Sequence, residues 1–282
     1  MPSMPSDASP DLAALDGHAL LPRVLHDVET PDAATRIADV EVPAPLVPVR
    51  EAWRTAGPRW PLVRTEASDV LDPNGDASDV AAADDGGDVP PGEADGLVVR
   101  LPAGRMGDLV PAVRRVAARA PTALLLDLTP LADTAPHGTE PWRPRRREEL
   151  AELRAALGRP LWLDGVASPA DAEVAAEAGL DAIVVRSAVG RHVAGPAVPD
   201  VLPEILDTVA GMVGVWVGGP VRDGVDVFRY LALGAEAVLP DAGTDVRRLD
   251  AELRYAMRLT GCATLEDVGY ETVFAPLWDE GA

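Results

Sequence analysis

The chain has 282 residues, of which 47% are hydrophobic but only 4% aromatic, and a formal charge of −21. That apolar share excludes general disorder and suits a core of Ala, Val and Leu, as in a parallel sheet wrapped by helices. A negative field of this size opposes nucleic acid and anionic membrane as partners.

All 25 basic residues are Arg, so Schiff-base chemistry and ammonium clamps are excluded. The single cysteine, Cys262, excludes an internal disulfide and a multi-cysteine metal site. The opening MPSMPSDASPDLAALDG has no basic region followed by an apolar run. No apolar segment approaches the roughly 18 residues of a membrane span, and a cytoplasmic protein is expected.

In chain order, residues 1–40 read as an extension leading into the main domain, and 45-PLVPV-49 and 60-WPLVRT-65 as two early strands. Residues 66–95 carry ten acidic residues with several Gly and Pro, and between Arg64 and Arg100 there is no basic residue. Such a composition cannot bury enough apolar surface to order itself and predicts a mobile acidic loop, or else a binding segment for a basic partner. Six further strands are predicted at 96-GLVVRL-101, 122-TALLLDL-128, 160-PLWLDG-165, 181-DAIVVRS-187, 214-GVWVGG-219 and 236-EAVLPD-241. Helical patterns lie between them at 107–119, 147–157, 169–179, 202–213, 223–233 and 245–260. Repeated βα units mean a parallel sheet, and eight such strands close most economically into a (β/α)8 TIM barrel over residues 41–265, with 266–282 as a tail.

Local signals agree. Ser168 caps a helix that Pro169 and Asp171 begin and Gly179 ends, and Leu249, Leu253 and Met257 make a core-facing stripe on the last helix. The basic run 143-RPRRR-147 reads as a solvated helix entry or a site for phosphate or an acidic partner.

The segments 160-PLWLDGVASPADAEVAAEAGLDAIVV-185, 217-VGGPVRDGVDVFRYLALGAEAVL-239 and 252-ELRYAMRLTGCATLEDV-268 resemble the FMN-dependent α-hydroxy acid oxidases and dehydrogenases, the glycolate and lactate oxidase group. Near the start, 21-LPRVLHDV-28 resembles the segment that precedes that family's barrel. The resemblance implies flavin-mediated oxidation of a 2-hydroxy acid: a histidine base, arginines on the substrate carboxylate, a lysine beside the flavin and a glycine-arginine site for the FMN phosphate.

This chain departs from that pattern at most of these positions. The family's loop Ser-Asn-His-Gly-Gly-Arg aligns with Arg186, Ser187, Ala188, Val189, Gly190 and Arg191. Ala188 therefore stands where the base is expected, and Arg191 keeps the carboxylate-clamp position. His192 next to it is a substitute base or an ordinary exposed histidine. The flavin lysine aligns with Asp164, a flavin-contacting glutamine with Arg100 and a nearby tyrosine with Pro102. Gly219, Arg222 and Gly224 remain of the phosphate site, while Gly218 and Pro220 replace an acid and a glycine, and Asp241 and Ala242 stand where a glycine-arginine pair is expected. Only a short polar segment separates Pro130 from Trp142, where the family has a cover over its site.

Two functions follow. The first is a non-catalytic barrel with weak or absent FMN binding, acting by homo-oligomer or hetero-assembly, its vacated cavity plugged by ion pairs among Arg100, Asp164, Arg186 and Asp127. The second is a retained flavin oxidoreductase, or an altered enzyme in which Arg191 and Arg222 hold an anionic ligand and Asp127, Asp164 or Asp241 supplies chemistry.

Overall fold

The structure, a computed structural model, describes residues 9–37, 40–47, 62–65, 97–102, 105–118, 120–128, 145–187, 189–190, 193–241 and 243–274. The acidic segment 66–95, the short segment after Pro130, Ala188, Arg191, His192 and the last eight residues lie outside them.

The apolar runs become strands because each is short and rich in Val, Leu and Ile, the composition of a sheet covered on both faces. They are β4 (Leu62–Thr65), β5 (Leu97–Pro102), β6 (Ala123–Asp127), β7 (Leu161–Val166), β8 (Ala182–Val185), β11 (Gly214–Gly219) and β12 (Ala237–Pro240). They form one parallel sheet in the order β12-β11-β8-β7-β6-β5-β4, which is the order of the chain. A parallel bridge between Leu46 and Val238 adds an eighth passage beside β12, with Val47 N donating to Val238 O at 2.9 Å and Val238 N to Pro45 O at 2.8 Å. Of the segment 45–49, read as a strand, only this bridge is formed among the described residues.

The connecting helices are α2 (Met106–Ala118), α3 (Arg147–Leu157), α4 (Pro169–Glu177), α5 (Val198–Val209), α6 (Gly224–Ala232) and α7 (Val246–Thr260). Ser168 caps α4 by accepting from Asp171 N, and Leu249, Leu253 and Met257 of α7 are buried. The pattern at 202–213 is corrected: α5 begins four residues earlier, at Val198, and buries Val198, Val201, Leu202, Ile205 and Val209. Pro203 sits inside the helix. The helix is entered through Pro199, so the carbonyl that Pro203 cannot satisfy lies in the first turn.

Alternation along the strands divides the core in two. Val99, Leu101, Leu124, Leu126, Ile183, Val185, Val215 and Val217 face the helices. Val98, Ala123, Leu125, Trp162, Ala182, Val184, Trp216, Ala237 and Leu239 face the other way and form a second apolar cluster. At its centre the rings of Trp162 and Trp216 meet edge to face, centroids 4.4 Å apart.

A hairpin of β2 (Thr35–Ile37) and β3 (Val40–Val42) contributes Ile37 and Val42 to this inner cluster. A cleft of about 860 Å³ runs between the hairpin and Trp162, Trp216 and Glu236, at the strands' N-terminal ends. The first strand, β1 (Ala19–Leu20), pairs antiparallel with the last described, β13 (Val273–Phe274), and β9 (Val189–Gly190) pairs antiparallel with β10 (Val193–Ala194). Among the described residues no helix is long and apolar enough to cross a membrane.

Candidate functional site

The inner face changes character toward the strands' C-terminal ends, the end where barrel enzymes place their chemistry. Two residues beyond the apolar layer the same face carries Arg100 after Val98, Asp127 after Leu125, Asp164 after Trp162 and Arg186 after Val184. Gly218 follows Trp216 and Asp241 follows Leu239 in the same way. Strand period alone therefore brings these side chains to one layer.

They are paired with one another. Arg100 Nη2 lies 2.8 Å from Asp127 Oδ2 and 3.2 Å from Asp164 Oδ2. Arg186 Nε donates to Asp164 Oδ1 at 2.5 Å, and Arg186 Nη1 lies 3.5 Å from Asp241 Oδ1. Asp164, with no exposed side-chain surface, is the centre that both arginines share. Burial pushes its carboxyl above the ordinary carboxylate range against the pull of Arg186 and Arg100. Burial also opposes the Arg186 cation, but the Asp164 carboxylate outweighs it and holds the guanidinium above its ordinary pKa. Arg100 Nε is buried without a hydrogen-bond partner.

Gly218 makes room for this arrangement. A Cβ there would stand 2.6 Å from Arg186 Cζ and 2.7 Å from Val184 Cγ1. Gly218→Ala is expected to displace the Arg186 head group and cost about 1–3 kcal/mol, the usual cost of overpacking. Urea unfolding checks this, and a loss below about 0.5 kcal/mol would show that the guanidinium is not confined.

The second group of candidates lies just beyond β11. Gly219 has φ of 133°, a conformation that favours glycine. Arg222 spends its donors on two carboxylates: Nη1 and Nη2 grip Asp16 at 3.0 and 2.6 Å, while Nε and Nη2 each reach Asp226 at 2.8 Å. Asp226 is fully buried and also receives Arg229 Nη1 at 3.0 Å. Burial works against its charge, yet the hydrogen bonds from Arg222 hold its pKa below the ordinary value. Gly224 N donates to Glu252 Oε2 at 3.0 Å. A Cβ on Gly224 would lie 2.2 Å from Leu253 N, so this glycine also lets α6 approach the backbone of α7.

Asp16 belongs to a short helix, α1 (Pro10–Asp16), that lies against α5 and α6. A second carboxylate of α1, the buried Asp11, accepts from Val198 N at 2.8 Å and from Ser187 Oγ at 2.5 Å. The N-cap of α5 is Ala197, which has no capping side chain, so Asp11 serves as its cap from across the sequence.

The sequence reading named neither Asp11 nor Asp16 nor Asp226. Asp226 carried a signal, an acid in the first turn of a helix four residues after an arginine. The other two carried none, since their partners lie far along the chain.

The scaffold is thus a parallel α/β sheet wound in chain order as a half-barrel, with its charged layer on the C-terminal edge. Residues 127–240 match the model of the FMN-dependent dehydrogenase family. An L-lactate oxidase of Lactobacillus jensenii is 35% identical over 140 residues, covering 44% of this chain and 34% of that protein. A peroxisomal (S)-2-hydroxyacid oxidase of Arabidopsis thaliana is 35% identical over 136 residues, 43% of this chain and 38% of that one. These matches span little more than a third of the curated relatives. A lactate oxidase structure from Pediococcus acidilactici shares the fold with a TM-score of 0.72 at 20% identity, covering 95% of this chain and 86% of the other.

Proposed function

We propose that this protein keeps the closed (β/α)8 barrel of the FMN-dependent 2-hydroxy acid oxidases as a non-catalytic scaffold, with weak or absent FMN binding, and acts by assembly with itself or another protein. The observation that carries this reading is the shared grip of Arg100 and Arg186 on the buried Asp164. These side chains stand on the face and at the edge where a flavin is held in the family, and they pair with one another, with only Arg100 Nε of their buried donors left without a partner.

The residues present fit the flavin poorly. A carboxylate at Asp164 opposes the negative charge of a reduced flavin. In the phosphate region the guanidinium of Arg222 and the amide of Gly224 already serve Asp16, Asp226 and Glu252. Ala188, at the position of the family's base, has no proton acceptor, and it lies outside the described residues together with Arg191 and His192. Closure of the barrel is supported by the Leu46 passage beside β12, which leaves β4 as the strand at the open side of the sheet.

Assembly is supported by apolar exposure on one part of the surface. Leu21 is 41% exposed, and Val24 and Leu25 are each 89% exposed. They lie on a segment whose Arg23 N donates to Leu259 O, and Leu259 and Tyr270 are exposed as well.

The test is an absorbance spectrum of the purified protein followed by titration with FMN. A colourless protein that takes up no stoichiometric FMN is the expected result. A yellow protein holding one flavin per chain would defeat the proposal and favour a retained flavin oxidoreductase.

A further inference from the structure

At the strands' N-terminal ends, opposite the charged layer, the cleft of about 860 Å³ is of a size that takes a small organic molecule. Barrel enzymes keep their chemistry at the other end, so this is a place to bind rather than to react. Its walls are of two kinds. Trp162, Trp216, Ile37, Leu231 and Val268 give an apolar surface, in which the two indoles meet edge to face. Around it stand the carboxylates of Asp181, Glu236 and Glu266.

These three acids are not equivalent. Asp181 is already spent: Arg154 grips it with a two-point fork at 2.7 and 3.0 Å, and Leu161 N donates to it at 2.9 Å. Glu236 and Glu266 form no ion pair with a described residue. Burial pushes the Glu236 carboxyl up, and only the Val215 backbone works against that rise, with no arginine taking part. A glycine sets where this carboxylate lies. A Cβ on Gly214 would stand 3.1 Å from Glu236 Oε2, so the bare backbone of Gly214 lets the carboxylate lean along the cleft wall. The cation on the walls is Arg36, which stands across the hairpin from Glu41. An indole-lined recess edged by carboxylates without counter-ions favours a ligand that carries positive charge on an apolar body. An anion would be repelled there, both by these groups and by the chain's charge of −21.

We propose that this cleft binds a small organic cation, an ammonium group on an apolar body, with Glu236 as its counter-ion and the surface around Trp162 and Trp216 as the seat of the body. The site is separate from the mouth of the barrel and holds whether or not a flavin is bound at the opposite end.

The test uses the full chain at low ionic strength, where screening is least. Phenethylammonium is titrated by calorimetry into the wild type and Glu236→Gln, with phenethyl alcohol as the neutral control and hydrocinnamate as the anionic one. Hydrogen exchange of the wild type is followed with and without the amine. Saturable uptake of one amine per chain is expected, at least about tenfold tighter than the alcohol, with no uptake of hydrocinnamate. Glu236→Gln is expected to weaken the amine about tenfold and to leave the alcohol within twofold. Protection of residues 35–37 and 265–268, which line the cleft from two separate segments, is expected to rise with the amine. An alcohol that binds as tightly as the amine overturns the proposal, as does a Glu236→Gln protein that melts cooperatively and keeps wild-type affinity. If that variant fails to fold, the wild-type exchange decides alone, and protection of both segments unchanged by the amine overturns the site.

Discussion

Asp164→Ala is expected to destabilise the protein by about 3–5 kcal/mol and to lower its melting temperature by on the order of 10 °C. The cost arises less from losing attraction than from what is left behind: Arg100 and Arg186, 18% and 14% exposed, would remain desolvated with their shared carboxylate gone. The opposite result is expected when the buried charges are removed together. Replacing the four together, Asp127→Leu and Asp164→Leu with Arg100→Met and Arg186→Met, is expected to recover most of the loss, because no buried carboxylate is then left without its arginine and well-packed apolar groups match or exceed a buried ion cluster. Urea unfolding of both variants checks the pair. An Asp164→Ala variant within about 1 kcal/mol of wild type would mean that water reaches the cluster and that the mouth is not plugged.

Gly224→Ala is expected to cost more than the roughly 1–3 kcal/mol of ordinary overpacking and to reduce the yield of folded protein. The added methyl would meet Leu253 N at 2.2 Å and Glu252 C and Leu249 O at 2.5 Å. These are backbone atoms of α7 and cannot rotate aside, unlike the Arg186 and Val184 side chains facing Gly218. Helix α6 would have to lift away from α7, uncovering Leu249 and Leu253, both buried. Soluble yield and the urea midpoint are the measurements, and a near-wild-type midpoint would show that the two helices are not held this closely. Gly224 entered the sequence reading as a phosphate-site remnant, and its packing against α7 is a sufficient structural reason for a glycine there.

Most of the strand and helix framework was legible because it depends on local pattern. The helix at 147–157 has the predicted bounds, and the strand at 214–219 likewise. The start of α5 was missed because two prolines, Pro199 and Pro203, each offer a helix entry, and only packing chooses between them. In the charged layer, Arg100, Asp127, Asp164, Arg186 and Asp241 could be named from strand period and from the aligned family positions. Which of them share a partner is a matter of three-dimensional distance, and Asp164 as the common centre could not be read from spacing. Asp11 and Asp16 were illegible for a plainer reason. A seven-residue helix with two acids looks like any solvated helix until its partners, at Val198 and Arg222, are brought beside it.

The pairing of β1 with β13 joins residues 19 and 20 to residues 274 and 273, nearly the full length of the chain apart. On a ribosome the N-terminal strand is made first and has no partner until the last strand emerges. The βα units can dock progressively, since each neighbours the next in sequence, but this clasp closes the longest loop among the described strand pairings. Emergence of residues 273 and 274, rather than synthesis of the sheet, is therefore the event that lets this clasp form.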